Sequence, residues 1–345
     1  MKSDEQKAEA QGAVVQPDFF YDRLPISASP KDDRALMEYP FFSLTKQSRM
    51  QPILYKDNGV SIKIEPGPRG IATMWDKDVL IYLATLINQK RDRGETPSST
   101  IIFKASDFLN WAHRGKGKRT YQLLNDALYR LRSTMITTSI TSNHERERSG
   151  FGWIDNYKLH ERTNRSGLRV LQAIEVKLND WTYRALVHER RILTLNPEYC
   201  KIKSSLHRRI YEIARKHCGY QSKWTISLEN LHKKCGSTRH ISKFKHDLKD
   251  IIEGTGVLDY NVTIETRNKL SKVIFRPKKK ASLKVSTNDR RPILNTEFLQ
   301  ELGSLYPKHD IWALYKQWQD WSREQSEPVQ QPEQAFKGYC ARLCA

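Results

Sequence analysis

The most regular spacing of apolar and polar positions lies between residues 238 and 252. Apolar side chains recur there every three or four residues, at Ile241, Phe244, Leu248, Ile251 and Ile252. This spacing places them on one face of an α-helix and leaves the opposite face polar. The pattern predicts a helix over 238–252 that packs one face on a core and leaves the other free to meet a partner.

The neighbouring segments predict that this helix is the third of a winged helix-turn-helix. The predicted elements are a first helix over 195–218, a strand at 224–226, a second helix over 227–234, and two strands at 257–265 and 270–276. Ser227 is the expected cap of the second helix, and residues 235–237 make the turn into the third. The basic tip at 266–269 joins the two strands into the wing.

An earlier region predicts the same order of elements. It begins with a hairpin over 53–64 that turns at Asn58-Gly59. The elements predicted after it are a helix beginning at Thr73 with Asp76 as its capping partner, a strand at 101–103, a helix capped by Ser106, a helix from Thr120, and strands at 135–142, 152–160 and 169–178. The repeated order predicts that this region is another winged helix-turn-helix, which precedes the one at 194–280 in the chain.

The whole chain therefore predicts an α+β fold of two tandem winged helix-turn-helix domains, with a flexible N-terminal arm and a small helical C-terminal region. The expected divisions are the arm at 1–51, a first winged-helix domain at 52–193, a second at 194–280, and a linker with helices at 281–345. The arm is rich in Pro, Asp, Ser and Lys, and its aromatic cluster Tyr39 to Phe42 is able to dock on the body. In the tail, apolar and aromatic residues at helical spacing over 310–324 are interpreted as packing surface in preference to a partner-binding groove. A last short helix is predicted at 335–343.

Composition narrows the class of protein. A length of 345 residues suits two to three domains of roughly 100 to 200 residues each. Five cysteines without a Cys-x-x-Cys pair argue against a disulfide framework and fit a reducing compartment. Residues 1–16 are polar and carry no apolar run, so we expect neither a signal peptide nor a membrane span, and a cytoplasmic protein.

The net charge of +20 is concentrated in the middle of the chain. Residues 1–69 carry ten basic and ten acidic side chains, and residues 281–345 carry eight of each. Residues 70–193 carry 21 basic and 13 acidic side chains, and residues 194–280 carry 20 and 8. Such a localised positive field attracts a phosphate backbone. A solvated basic surface that only aids solubility is the alternative, but the helix and wing pattern favours DNA.

The residues expected to contact DNA lie on both third helices and on the wing. In the second domain they are Arg239, Ser242, Lys243, His246 and Lys249 on the helix and Arg267, Lys269 and Lys272 on the wing. Lys and Arg neutralise phosphates, whereas Arg, Ser and His also reach base edges in the major groove. In the first domain they are Arg119, Gln122, Asn125, Tyr129 and Arg132, on a helix that serves equally well as a protein interface.

Three other kinds of site fit poorly. Residues 114–120 lack the spacing of a nucleotide-binding loop and join two predicted helices. His217-Cys218 and His232 with Cys235 lack the Cys-x-x-Cys pair of a structural zinc site. A rolling-circle nickase needs two histidines one residue apart and a nucleophilic tyrosine, and no two of the ten histidines have that spacing. We therefore expect no catalytic residue, no cofactor and no metal site.

The run Gly70 to Tyr82, together with the preceding hairpin, resembles the opening of RepA-type plasmid replication initiators, the replication initiator protein A family. This run is specific to the family, and the remaining similarity is supportive. The similarity continues through Ser133-Thr134, 171–174, Trp181 and 206–211 to the second wing, covering residues 40–280, and extends to 336–339 in the tail.

This resemblance implies an initiator that binds repeated sites in double-stranded origin DNA, helps to open the duplex, and recruits the host replication initiator and the replicative helicase. It implies that the first winged helix serves homodimerisation or secondary DNA contacts and the second most base recognition. It brings no catalytic residue and no membrane partner. A transcriptional repressor that binds similar sites without initiating replication is the alternative.

Overall fold

The structure is a computed structural model, and it divides the chain into two compact units, residues 1–278 and 279–345. It describes residues 21–25, 27–57, 59–139, 149–163, 167, 169–187, 192–219, 221–268, 270–278, 294, 296–306, 309, 311–324 and 332–343. Among these residues, no helix has both the length and the apolar character needed to cross a membrane.

The fold of the first unit mixes helices with antiparallel sheets. Its elements up to residue 187 are β1 Lys31–Asp33, α1 Arg34–Glu38, β2 Ile53–Asp57, β3 Val60–Glu65, α2 Lys77–Asp92, β4 Thr100–Phe103, α3 Ala105–Trp111, α4 Lys118–Ser133, β5 Met135–Thr138, β6 Ser149–Phe151, β7 Ile154–Thr163, β8 Arg169–Leu178 and α5 Asp180–Val187. The elements that follow are β9 Ile192–Thr194, a 3-10 helix Pro197–Lys201, α6 Ser205–His217, β10 Trp224–Ser227, α7 Leu228–Cys235, α8 Ile241–Glu253, β11 Tyr260–Arg267 and β12 Leu270–Pro277.

One arrangement of helices and strands occurs twice in this unit. The first repeat consists of α2, β4, α3, α4, β7 and β8, and its sheet has the strand order β4-β8-β7. The second repeat consists of α6, β10, α7, α8, β11 and β12, and its sheet has the order β10-β12-β11. Both repeats thus run helix, strand, helix, helix and hairpin, with the last strand in the middle of an antiparallel sheet. A separate sheet, β2-β3-β5-β6, contains the hairpin predicted over 53–64.

The segment before β2 is part of the core. β1 pairs antiparallel with β9, and the Asp33 carboxylate accepts hydrogen bonds from the first backbone N–H groups of α1. Phe42 stacks on the buried Trp153 with ring centroids 4.9 Å apart, and Phe41 meets the same ring edge-on. The prediction of a flexible arm is therefore wrong for residues 31–44, whose aromatic cluster does dock on the body. Residues 1–20 lie outside the described part of the chain.

Three predicted helix starts are wrong. Thr73 and Asp76 exchange hydrogen bonds as expected of a cap, but they form a turn, and α2 begins at Lys77. Ser106 lies inside α3, which Lys104 precedes. The helix predicted over 195–218 begins only at Ser205, because residues before it form a 3-10 helix that starts at a proline. Local capping signals were present at Thr73 and Ser106, but neither residue is the cap of its helix.

Asp78, near the start of α2, is a buried ion that joins the two repeats. Its carboxylate accepts hydrogen bonds from Nη1 of Arg208 at 2.5 Å and from Nη2 of Arg114 at 2.6 Å. Asp78 and Arg208 are fully buried, and the Arg208 guanidinium lies 4.2 Å from the centre of the Trp75 ring. Because Arg208 belongs to α6, this contact fixes the first helix of one repeat to the first helix of the other.

Lys77 forms a second buried link between the repeats. Its ammonium nitrogen lies 2.6 Å from Oδ2 of Asp32 and 2.9 Å from Oε1 of Glu212. Glu212 also accepts hydrogen bonds from the Tyr199 hydroxyl at 2.6 Å and from Nη1 of Arg209 at 3.2 Å. These charges therefore satisfy one another inside the protein, as buried ions must. The two repeats form one body.

The described residues of the second unit form three helices, α9 Thr296–Leu305, α10 Ile311–Glu324 and α11 Pro332–Leu343. Trp318 of α10 and Phe336 of α11 are buried together, with ring centroids 5.2 Å apart. Of the apolar stripe predicted over 310–324, Ile311 and Trp318 are buried as packing surface, whereas Trp321 is exposed. The linker predicted at 281–291 lies outside the described residues, and α9 was not predicted.

Candidate nucleic-acid interface

Helix α8 carries the predicted DNA-contacting face. It begins at Ile241, three residues after the predicted start, and the His240 imidazole caps it by accepting a hydrogen bond from the Ser242 backbone N–H at 3.3 Å. Phe244 and Leu248 are fully buried, as the apolar spacing predicts. The helix is therefore held by one face, and its polar face is presented outward.

The turn between α7 and α8 sets the direction of α8. Gly236 ends α7 with a φ of 65°. This value lies in the left-handed region, which is unfavourable for residues that have a Cβ. A Cβ at this position would lie 2.6 Å from Cβ of Pro40, so the turn is packed tightly against the segment before β2. The site is thus positioned by residues distant in the sequence.

Replacing Gly236 with Ala is expected to destabilise the first unit by about 2 to 3 kcal/mol, because the strain of the left-handed backbone and a clash with the Pro40 ring add together. The matched control is Gly94→Ala, since Gly94 has φ of 76° but open space around its Cα. That variant should lose only about 1 kcal/mol. Urea unfolding of both variants measures the difference, and equal losses would show that the Pro40 contact carries no constraint.

The polar face of α8 brings most of the predicted residues together. Four of them line one shallow surface cavity of about 510 Å³, shared with two aspartates: Arg239, Ser242, Lys243, His246, Asp247 and Asp250. Lys249 is exposed on the same helix but does not line this cavity. Arg239 precedes the helix and does not belong to it, which corrects the prediction.

The wing stands beside this face. Arg267 and Lys272 are exposed on the β11–β12 hairpin, and Lys269 lies outside the described residues. A link that the sequence did not predict connects helix and wing, because Nζ of Lys245 donates to the Thr266 hydroxyl at 3.1 Å and to the Ser271 hydroxyl at 2.9 Å. Nothing in the helical spacing distinguishes Lys245 from its basic neighbours, since its partners lie more than twenty residues away.

The positive charge of the second repeat divides into two classes. Several basic residues are used internally: Lys216 and Lys234 pair with Glu38, Lys233 pairs with Asp57, and Arg208 and Arg209 are buried. Within the part of the chain that the structure describes, no ion pair engages the following exposed residues of α8 and the wing: Lys243, Lys249, Arg267 and Lys272. These four cations are therefore available to an external anion, as are exposed basic residues elsewhere in the same part of the chain, among them Lys223 and Arg276.

The corresponding face of α4 in the first repeat is less open. Arg119, Gln122 and Arg132 are exposed, and Asn125 is half-buried. The Arg132 Nε donates to the Asp155 carbonyl at 3.1 Å, so this side chain has an internal partner.

Arg69 covers the middle of the same helix. Its guanidinium lies 4.4 Å from the centre of the Tyr129 ring and pairs with Asp126 at 2.6 Å. The predicted residues of α4 thus share one side of the helix, but they do not form a surface as free of internal partners as that of α8.

The histidines and cysteines weighed as zinc ligands have structural partners. His217 stacks on Trp224 at 4.8 Å, and burial together with Lys216 and Lys234 lowers its pKa to about 4. Burial raises the pKa of the Cys235 thiol to about 12, which disfavours the thiolate that zinc requires. One group of three possible ligands does occur among the described residues, His246, Asp247 and Asp250 on α8, but both carboxylates already face cationic or imidazole partners.

Comparison with known proteins identifies relatives of this chain. Residues 31–262 match the family model described as Replication initiator protein A. A curated protein of Wigglesworthia glossinidia brevipalpis named "Putative replication protein" is 38% identical over 246 residues, which cover 71% of this chain and 88% of that protein. Among solved structures, a crystal structure of domains 2 and 3 of RctB is similar with a TM-score of 0.52 and 14% identity, covering 71% of this chain and 98% of that one. At that identity the structural likeness concerns the fold alone.

Proposed function

Because the chain belongs to the replication initiator protein A family, we propose that it is a non-enzymatic initiator that binds repeated sites in double-stranded origin DNA. Both repeats are then winged helix-turn-helix domains, as their shared element and strand orders favour. The second structural repeat of the protein makes the sequence-specific contacts with the repeated DNA sites of the origin. The first repeat supplies secondary DNA contacts or a homodimer interface through α4.

One observation carries the assignment of DNA recognition to α8. Its exposed face and the adjacent wing carry four exposed cations, Lys243, Lys249, Arg267 and Lys272, that no ion pair engages within the described residues, and the helix is fixed by its opposite face. An α-helix fits the major groove, and a basic hairpin beside it reaches the flanking backbone or minor groove. Lys245 ties the two elements together, so they meet the duplex as one surface.

Binding of this kind supports the later steps of initiation. Contacts that the protein makes only with distorted DNA stabilise the distorted form, so they lower the free energy needed to open the duplex. Exposed single strands then receive the host initiator and the replicative helicase.

No covalent chemistry is needed from the protein, and incubation with supercoiled origin DNA and Mg²⁺ should leave the DNA covalently closed.

DNase I footprinting on the plasmid that carries the gene tests the proposal. We expect protection of several repeats of one sequence within a single region, at protein concentrations where other plasmid DNA remains unprotected. Uniform protection of all DNA would reduce the basic face to non-specific binding and would remove the initiator assignment.

Deletion of residues 281–345 is expected to leave DNA affinity within about twofold of the full chain, since this region lies in the separate second unit and is neutral overall. We also propose that this separate unit serves host-factor docking, so initiation in the cell should nevertheless fail. Gel-shift titration and a plasmid-maintenance assay measure the two properties separately. A large loss of DNA affinity would show that the tail belongs to the binding fold.

A further inference from the structure

Arg239 differs from the other basic residues of the α8 surface because it is fixed at three points. Its backbone N–H donates to the Ser237 hydroxyl at 3.3 Å, and its carbonyl accepts from Nε2 of His232 at 2.7 Å. Its guanidinium Nη1 lies 3.1 Å and 2.9 Å from the two carboxylate oxygens of Asp247. A side chain held in this way has lost most of its conformational freedom before any ligand arrives.

The geometry leaves one edge of the guanidinium available. Only Nη1 contacts Asp247, and no other hydrogen bond to the Arg239 side chain occurs among the described residues. Nε and Nη2 therefore present two parallel N–H donors. This fork matches the O6 and N7 acceptors of guanine in the major groove, which no other base pair displays as a pair of acceptors.

Asp247 is otherwise hard to explain on a surface that binds phosphate. A carboxylate beside DNA repels the backbone and weakens binding to any sequence. The Asp247 side chain is only 24% exposed, whereas that of Arg239 is 57% exposed, so the carboxylate lies beneath the guanidinium. In this position it holds the guanidinium in one orientation.

We propose that Arg239 is a guanine-reading residue and that Asp247 is the positioning residue that keeps its Nε–Nη2 edge aimed into the major groove. This rests on the proposed binding of duplex DNA by α8. Asp247 lowers the affinity for DNA of any sequence, and with Arg239 it raises the selectivity at one base pair. Lys243 and Lys249, which have no such support, contact phosphate.

A selection from a random-sequence duplex library tests the pair. The wild-type protein is used first to define its preferred site, and Arg239→Lys and Asp247→Ala are then compared on the same library. We expect both variants to lose preference at the same guanine position by about 10- to 100-fold. Arg239→Lys should keep the wild-type salt dependence because the charge remains, and Asp247→Ala should bind random duplex more tightly because a negative charge is lost.

Asp250→Ala is the matched control. Asp250 lies on the same face, 3.0 Å from His246, and its removal changes the net charge by the same amount. This variant should tighten random binding in the same way as Asp247→Ala but should keep the guanine preference. Replacing the selected guanine with 7-deazaguanine removes the N7 acceptor, and it should weaken the wild-type protein without affecting Arg239→Lys.

The outcomes separate the proposal from its premise. If the wild-type protein selects a site and both variants keep every base preference while binding all sequences less tightly, Arg239 is a phosphate contact and the proposal is wrong. If the wild-type protein selects no sequence at all, α8 does not read duplex DNA and the proposed function fails with it. Loss of the same guanine in both variants, but not in Asp250→Ala, supports the pair.

Discussion

Replacing Asp78 with Asn is expected to destabilise the first unit by about 3 to 5 kcal/mol, the usual loss when one member of a buried ion pair is removed. Asp78 is fully buried and accepts hydrogen bonds from Arg208 and Arg114. The amide has nearly the same shape but no charge, so the buried Arg208 guanidinium would be left uncompensated. Because Arg208 lies on α6, the damage should spread to both repeats.

Glu198→Gln is the matched control for that result. Glu198 pairs with Lys201 at 2.8 Å, but both side chains are about half exposed. An exposed pair of this kind contributes at most about 0.5 kcal/mol. Denaturant unfolding of the two variants measures the contrast. A loss below about 1 kcal/mol for Asp78→Asn would show that Arg208 finds another partner and that this link does not hold the repeats together.

Replacing Lys243 and Lys249 together with Ala is expected to weaken binding to the preferred duplex by about 10- to 100-fold at 0.15 M salt. Both side chains are exposed on α8 and have no ion pair among the described residues. The slope of log K against log salt should fall by about 1.8, because two phosphate contacts are removed. The unfolding temperature should stay nearly unchanged, since neither side chain packs on the core.

The control for this pair is a double variant with the same change in net charge. Lys201→Ala with Lys233→Ala removes two exposed lysines of the first unit that already pair with Glu198 and Asp57. It should alter affinity by less than about threefold, through the general field alone. Fluorescence anisotropy over a range of salt concentrations compares the two. Equal losses in both variants would show that total charge, and not the α8 face, determines binding.

Much of the repeated architecture is predictable from the sequence because it rests on local periodicity. Phe244 and Leu248 are buried at the spacing that predicted α8, and Ser227 caps α7 as expected. The strand predicted at 169–178 has those same bounds. In each case the side-chain pattern within one element already determines which face packs inward.

The missed features depend on partners distant in the sequence. Nothing in the local sequence predicts that Arg208 and Arg209 are buried, yet both are, because Asp78, Glu212 and backbone carbonyls surround them. Helix α1 has only five residues, too few to show a helical period. The run Gly70 to Tyr82, which carried the family resemblance, is buried except for Trp75, and its Lys77 and Asp78 pair with Glu212 and Arg208 of α6 and so join the repeats.

The sequence predicts which residues of the candidate site are exposed, but it does not predict the contacts between them. Helical spacing located the exposed residues of α8, since exposure follows from the buried face opposite. It gave no sign that Asp247 holds Arg239 or that Lys245 bridges to the wing, because both contacts depend on the geometry of the turn and the hairpin.

The central claim is most directly tested by replication in trans. The protein is supplied from one plasmid, and a second plasmid that carries only the origin with its repeats is followed over generations. We predict that the second plasmid is maintained with the wild-type protein and lost with the Lys243→Ala, Lys249→Ala variant. Loss of the plasmid although the wild-type protein is folded and bound to the repeats would contradict initiation, and it would leave transcriptional repression as the function of the same DNA-binding surface.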